Sequence, residues 1–302
     1  MKLAIIYGGN SFERPVSINT AESIICSIND KYNLIKIDFD GNIASLINTL
    51  HKNKITLVFN ALHGGDGENG VLQKHLEKNN ILFTGSGSVA CSKAMNKSKT
   101  KDICIENNIP VPRGVIINQN NKSIDNFNII SEFVVLKPIN EGSSADLYIV
   151  SNFSSNLNEK IDYMLSKYDS FILEEYIAGK ELTVGVLDGK VLPVVEIIPK
   201  NKFYDYKCKY SNGMSEYEVP AILDEKVKSQ INKYALKLHN ILGCRHYSRI
   251  DIRLDNENNI FILEINTLPG MTDTSLFPKA ANAFGITFED LIEKIINLAK
   301  NG

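Results

Sequence analysis

Apolar and polar positions fall into short alternating blocks along the first third of the chain. Residues 2–7 form an apolar run containing Ile5 and Ile6 that stops at Gly8-Gly9, the pattern of a buried strand. Over residues 15–29, Val16, Ile18, Ala21, Ile24 and Ile25 recur at helical spacing. Residues 33–40 alternate, with Ile35, Ile37 and Phe39 on one face and Lys36 and Asp38 on the other, which predicts a half-buried strand. A helix over 41–51, a strand over 56–62, a helix over 70–78 and a strand over 81–84 continue the series. Strands alternating with helices predict right-handed βαβ units and a parallel sheet. This is a Rossmann-like first domain, residues 1–90, with its functional loops at the C-terminal ends of its strands.

The pattern changes near residue 91. Residues 92–107 read as one lysine-rich helix with Lys93, Lys97, Lys99 and Lys101, and Pro110 and Pro112 then break it. A central domain over 91–178 contains short strands at 133–138, 147–150 and 171–177 around a helix near 154–167. The last domain, 179–302, opens with two strands joined by Asp188-Gly189, a strong hairpin signal. Residues 200–220 are polar and tyrosine-rich without an apolar period, and a loop of that length in a compact enzyme is read as a lid. A helix over 224–242, strands over 247–254 and 260–265 and two closing helices complete the chain. The fold class is α/β: an N-terminal parallel sheet, a central α+β domain and a C-terminal α+β domain.

Composition narrows the function classes. The 302 residues carry 33 Lys plus Arg against 35 Asp plus Glu, a net charge of -2, so no broad basic surface suggests nucleic acid or an anionic membrane. Phosphate chemistry would need a local cluster of cations. The apolar start is short for a signal segment, and no stretch reaches the roughly 18 apolar residues of a membrane span. Five scattered cysteines without a C-x-x-C pair fit neither a disulfide framework nor structural zinc. A reducing cytoplasm is the expected compartment.

The most informative segment is Arg249-Ile250-Asp251 followed by Glu264-Ile265-Asn266. Residues two apart on a strand share a face. Folding the two strands about residue 257 sets Asp251 nearly opposite Glu264 and Arg249 nearly opposite Asn266. Two carboxylates and an amide oxygen on one face suit Mg²⁺, and Arg249 beside them suits a developing oxyanion or a phosphate oxygen. The plain alternative is a solvated edge with a charge ladder. The Glu141-Gly142-Ser143-Ser144 turn follows a strand ending in Lys137; with the distant Lys97 it reads as a triphosphate cradle. Residues 171–177, apolar around Glu174 and Glu175, suit an adenine edge, and Glu181 suits ribose hydroxyls; a plain edge strand is the alternative. The loop from His63 to Gly70 is either an anion site or a tight turn with Glu68 near a helix N-terminus. Residues 85–90, GSGSVA, imitate a dinucleotide fingerprint, but they follow the fourth strand and are read as a structural turn.

Taken together, YGGNSFERPVS (7–17), LHGGDGENGVLQ (62–73), GSGSVACSKAMNKSKTK (85–101), VLKPINEGSS (135–144), EEYIAGKELTV (174–184), FYDYKCKY (203–210), RIDIRL (249–254) and LEINTLPGMTDTSLFPKAA (263–281) resemble the D-alanine–D-alanine ligases of the ATP-grasp superfamily over nearly the whole chain. The resemblance implies ATP held between the central and C-terminal domains by Lys97, Lys137, Ser144, Glu174, Glu175, Glu181 and Lys209, with Ile177 meeting adenine through its backbone. It implies two Mg²⁺ ions, or Mn²⁺, on Asp251, Glu264 and Asn266. Glu13 would anchor the first D-alanine's ammonium with His63 close by, Arg249 and the Gly270 backbone would form the oxyanion site, and Ser275 and Leu276 would take the second D-alanine's carboxylate. Tyr210, on the lid with Lys209, would join Ser143 and Glu13 in a hydrogen-bonded triad. The reaction implied is D-alanyl phosphate formation followed by dipeptide synthesis, by a homodimer, for peptidoglycan precursors.

The chain departs from the family pattern at Pro15, Lys74, Ala145-Asp146 and His246. An aspartate beside phosphates would repel them, so the loop at Asp146 is expected to run differently. Competing readings are a relative using D-serine or D-lactate as second substrate, a catalytically dead nucleotide-binding protein, and a nicotinamide enzyme built on the GSGSVA turn. Tyr210 argues against D-lactate, and intact Arg249, Asp251, Glu264 and Asn266 argue against a dead protein.

Overall fold

β1 (Lys2–Gly8) buries both faces: Leu3 and Ile5 turn to one side, Ala4 and Ile6 to the other. This explains the unbroken apolar run, since a parallel strand covered on both faces has no solvent side to mark. In the computed structural model, which describes residues 2–28, 31–122, 131–143, 145–154, 156–199 and 215–301, β1 sits inside a parallel sheet. Its order is β2 (Asn33–Phe39), β1, β3 (Leu57–Asn60), β4 (Leu82–Phe83). On one side lie α2 (Ile43–Lys52) and α3 (Val71–Lys78), and on the other α1 (Arg14–Ile28).

The segment expected as one helix over 92–107 is two, α4 (Ser88–Met95) and α5 (Lys97–Glu106). Asn96 separates them: its backbone is extended, and its side chain accepts from the Lys99 N–H at 2.9 Å as the cap of the second helix. Lys97 therefore starts a helix. The GSGSVA segment is a turn into α4, where the Glu77 carboxylate accepts from the Ser88 N–H and hydroxyl at 2.8 and 2.6 Å. That carboxylate takes the backbone N–H at the start of α4.

The second sheet is antiparallel, in the order β5 (Gly114–Asn118), β8 (Ser170–Glu175), β6 (Phe133–Pro138), β7 (Tyr148–Ser151), backed by α6 (Asn156–Lys167). β5 is a strand that the sequence pattern does not single out. The third sheet runs β12 (Ser215–Glu218), β11 (Val195–Pro199), β9 (Lys180–Leu187), β13 (Tyr247–Leu254), β14 (Ile260–Asn266), with β10 (Lys190–Val191) paired to β9 across the expected Asp188-Gly189 turn. β12 corrects the far end of the expected lid: residues 215–218 pair antiparallel with β11. The rest of that stretch, 200–214 with Lys209 and Tyr210, lies outside the described residues, as does Ser144.

α7 (Glu225–Leu242) packs on one face of the third sheet against Leu182, Val184, Ile250, Ile252 and Ile262. α5 joins this core through Cys104. α8 (Leu276–Ala283) and α9 (Phe288–Lys300) close the chain, and α9 returns to the first sheet beside α1. There the Lys31 ammonium bridges Glu289, at 2.5 Å, and Glu293. Among the described residues no helix is long and apolar enough to cross a membrane.

His239 on α7 is buried, with Nδ1 2.7 Å from the Ser248 hydroxyl, and burial pulls its pKa down to about 4. The fold thus keeps a neutral imidazole, while the unfolded chain takes up a proton below its ordinary value. This contribution to stability is complete above pH ~6.5 and is lost as pH falls toward 4. Urea denaturation should show His239→Asn losing less stability than the parent between pH 7 and 5, by about 2 kcal/mol. Identical losses would show that His239 is not the group responsible.

Candidate active site

Strand alternation builds the site on the free face of the third sheet. Ile250 and Ile252 turn to α7, so Arg249, Asp251 and Arg253 turn the other way into the cleft. The β9 neighbours follow the same rule: Thr183 pairs with Asp251 and Glu181 with Arg253. Asp251 accepts from Arg249 Nε and Nη2 at 2.9 and 2.8 Å and from the Thr183 hydroxyl at 2.6 Å. This two-pronged bond fixes the guanidinium plane. Arg253 reaches Glu181 at 3.1 Å and the Ile177 carbonyl at 2.9 Å.

On β14 the expected facing pairs, Arg249 with Asn266 and Asp251 with Glu264, are present. They depend on a bulge. Near the turn Leu254 faces Ile260, Arg253 faces Phe261 and Ile252 faces Ile262, so a regular ladder would put Leu263 opposite Asp251 and Glu264 toward the core. The register shifts between Asp251 and Ile252, and Leu263 and Glu264 both border the cleft.

Opposite this face, the second sheet supplies a buried charge cluster. Glu174 is 3% exposed and faces Lys137 at 2.5 Å and Lys101 at 2.7 Å. Burial raises the pKa of this carboxyl, but the two ammoniums outweigh it and hold it below the ordinary range. Glu175 accepts from the Arg113 N–H at 2.8 Å. Between the two sheets lies a cavity of about 330 Å³, lined by apolar Val135, Ile149 and Leu263 and by Lys137, Glu181 and Arg253.

A second cavity, about 520 Å³, opens toward the first sheet and contains Glu13, His63, Ser143, Asn266, Gly270 and Ser275. Glu13 is buried and accepts from the Ser143 hydroxyl. His63 is buried too, with Nε2 2.9 Å from the Thr20 hydroxyl and Nδ1 3.6 Å from Glu68. Next to it, Gly64 lets the backbone pass close to Glu13: its φ is +67°, and a Cβ there would lie 2.7 Å from a Glu13 oxygen. Ser275 caps α8 without a side-chain bond to it, and its hydroxyl instead accepts from the Thr272 N–H at 3.1 Å. Lys97, Arg249, Glu264 and Leu276 line both cavities. Lys97 is held by the Glu141 carbonyl and lies 3.4 Å from Glu264. Of the departures, Lys74 is exposed on α3 and disturbs no core.

The donor set Asp251, Glu264 and Asn266 fits a hard divalent cation that keeps other ligands for phosphate and water. Among the described residues no group of three His, Cys, Asp or Glu side chains could hold a metal by itself, so the amide oxygen is part of the fit. Four residues here are not among those the sequence singles out as site residues: Lys101, Thr183, Arg253 and Glu68. Three carry a periodicity signal, because Lys101 is one helical turn beyond Lys97, and Thr183 and Arg253 are two beyond Glu181 and Asp251.

The family model described as D-ala D-ala ligase C-terminus matches residues 98–297. A D-alanine–D-alanine ligase of Carboxydothermus hydrogenoformans is 41% identical over 100% of this chain and 99% of its own length. The crystal structure of the Bacillus anthracis D-alanine–D-alanine ligase complexed with ATP superposes with a TM-score of 0.87 at 30% identity, covering 100% of this chain and 97% of that one. The VanG D-Ala:D-Ser ligase from Enterococcus faecalis gives 0.82 at 27% identity, with 99% of each chain covered. The chain belongs to the D-alanine–D-alanine ligase family and has the ATP-grasp fold.

Proposed function

We propose that this protein joins two D-alanine molecules at the expense of ATP, forming D-alanyl-D-alanine, ADP and phosphate for peptidoglycan precursors in the cytoplasm. The observation that carries this reading, beyond family membership, is the meeting of two cavities at Lys97, Arg249 and Glu264. One is narrow, lies between two sheets and suits a nucleotide. The other is polar and suits amino acids.

In the nucleotide cavity, Val135, Ile149 and Leu263 border the base, Glu181 takes the ribose, and Lys97 and Lys137 neutralise phosphate oxygens. Glu174, Glu175 and the Ile177 backbone complete the adenine end, with Ser144 and Lys209 as further ATP contacts. Two Mg²⁺ or Mn²⁺ ions, held by Asp251, Glu264 and Asn266, would supply charge neutralisation on the triphosphate. Glu13 binds the ammonium of the first D-alanine near His63, presenting its carboxylate to the γ-phosphate. Attack there gives the acyl phosphate and ADP. The second D-alanine's carboxylate sits on Ser275 and the first N–H groups of α8, which Ser275's side chain leaves uncapped. Its amine attacks the acyl carbonyl, Arg249 and the Gly270 backbone stabilise the oxyanion, and phosphate leaves. Because water would hydrolyse the acyl phosphate, the site has to exclude it, the role that the family resemblance implies for Tyr210 together with Ser143 and Glu13. The division into domains 1–90, 91–178 and 179–302 follows the three sheets, with α4 and α5 lending Ala94 and Cys104 to the core of the third, and the active species is a homodimer.

Incubation with ATP and D-alanine, alone or mixed with D-serine or D-lactate, with products identified by mass, should give D-alanyl-D-alanine as the main product. Exclusive D-alanyl-D-serine formation would move the second site to another substrate, and absence of phosphate release would overturn the ligase reading. Glu264→Gln should reduce turnover at least about 100-fold while the melting temperature is kept, because one carboxylate of the cation set is gone. Near-parental activity of that folded variant at ordinary Mg²⁺ would remove Glu264 from the site.

A further inference from the structure

Residues 139–143 and 145–147 lie between the two cavities. Gly142 and Ser143 border the larger one, and Ala145 and Leu147 border the nucleotide cavity. Asp146 lies between the last two, and its carboxylate turns the other way. It accepts from the Tyr168 hydroxyl at 2.7 Å, the Tyr148 hydroxyl at 3.0 Å and the Lys167 ammonium at 3.1 Å. Burial opposes ionisation, but these three donors outweigh it and keep the carboxyl below its ordinary range. Lys167 ends α6 and Tyr168 follows it, so both donors stand on the rigid back of the second sheet. Lys160 lies over the Tyr148 ring at 4.3 Å, which fixes that partner as well. The backbone at Asp146 has φ +48°, a left-handed conformation that glycine adopts more easily. Asp146 thus keeps a left-handed backbone while three donors grip its side chain from the far side of the loop.

We propose that Asp146 is a positioning residue that anchors the phosphate loop from behind, through Tyr168 and Lys167, and so keeps it closed over the ATP cavity. The front of the same loop is tied to Glu13 through Ser143 and to Lys97 through the Glu141 carbonyl. The negative charge expected to repel phosphate is instead consumed at the back. Releasing the anchor lowers the fraction of molecules with a closed loop and weakens apparent ATP affinity by that fraction. This inference rests on the ligase reading only for what the loop covers.

The test compares Asp146→Asn, Asp146→Gly, Tyr168→Phe and the Asp146→Asn/Tyr168→Phe pair. ATP affinity is measured by calorimetry, KM for ATP and for D-alanine by kinetics, and hydrogen exchange over 139–147 without ligand. Asp146→Asn should raise the Kd and KM for ATP about tenfold, the loss expected for a hydrogen bond to a charged group, with a much smaller change in KM for D-alanine. The double variant should be no worse than the poorer single, because both break one anchor. Asp146→Gly suits the left-handed backbone, so it should fold well yet still bind ATP weakly. Tighter ATP binding by Asp146→Asn would show a repelling charge and overturn the anchor. Parental ATP affinity and exchange in Asp146→Gly would overturn it as well. A parent that releases no phosphate with D-alanine would sink the ligase reading alone, since faster exchange of the loop in the variants would still support the anchor.

Discussion

Charge placed in a half-dry cleft has to be paired, and the site depends on that pairing. Glu174 is surrounded by protein and ionised only because Lys137 and Lys101 flank it. Asp251 is matched by Arg249, Glu181 by Arg253, and Glu264 by Lys97. Removing both lysines would leave the buried Glu174 carboxylate without compensation, which is far worse than removing the whole cluster. The pairing also sets direction. A guanidinium gripped at two points cannot wander, and an ammonium shared between a carbonyl and a carboxylate stays at the meeting of the two cavities.

The scaffold makes this possible by keeping its apolar and charged sides apart. In the third sheet one face packs on α7 and the other carries the cleft, so alternation along β9 and β13 delivers Glu181, Thr183, Arg249, Asp251 and Arg253 together. The second sheet does the same with α6 behind it and Lys137 and Glu174 toward the cavity side. Helix starts add fixed partial charge: Lys97 opens α5, and Ser275 stands before α8. The return of α9 to the first sheet packs it beside α1, on the side of the larger cavity that carries Glu13, facing the third sheet.

Residues 139–143 and 145–147 border both cavities. Their front touches Glu13 and Lys97, and their back is gripped at Asp146. A segment bonded at both ends can transmit the arrival of one ligand to the place of the other without a change in fold, because its position is set by contacts on two sides.

The sequence by itself determined the fold class, the parallel first sheet, the Asp188-Gly189 hairpin and the facing of Asp251 with Glu264, since period-two and period-3.6 burial are local properties. Only the tertiary structure decided the rest. Asn96 divides one apparent helix because capping outweighs a continuous pattern of weak periodicity. β5 and β12 are strands because a partner edge pairs with them, which local pattern does not reveal. Leu263 is extruded as a bulge because the turn register and the facing of Glu264 cannot otherwise both be met. Asp146 read from sequence is a charge beside phosphates. In the fold it points away, because Tyr168 and Lys167, more than twenty residues later, offer it better partners than the cavity does.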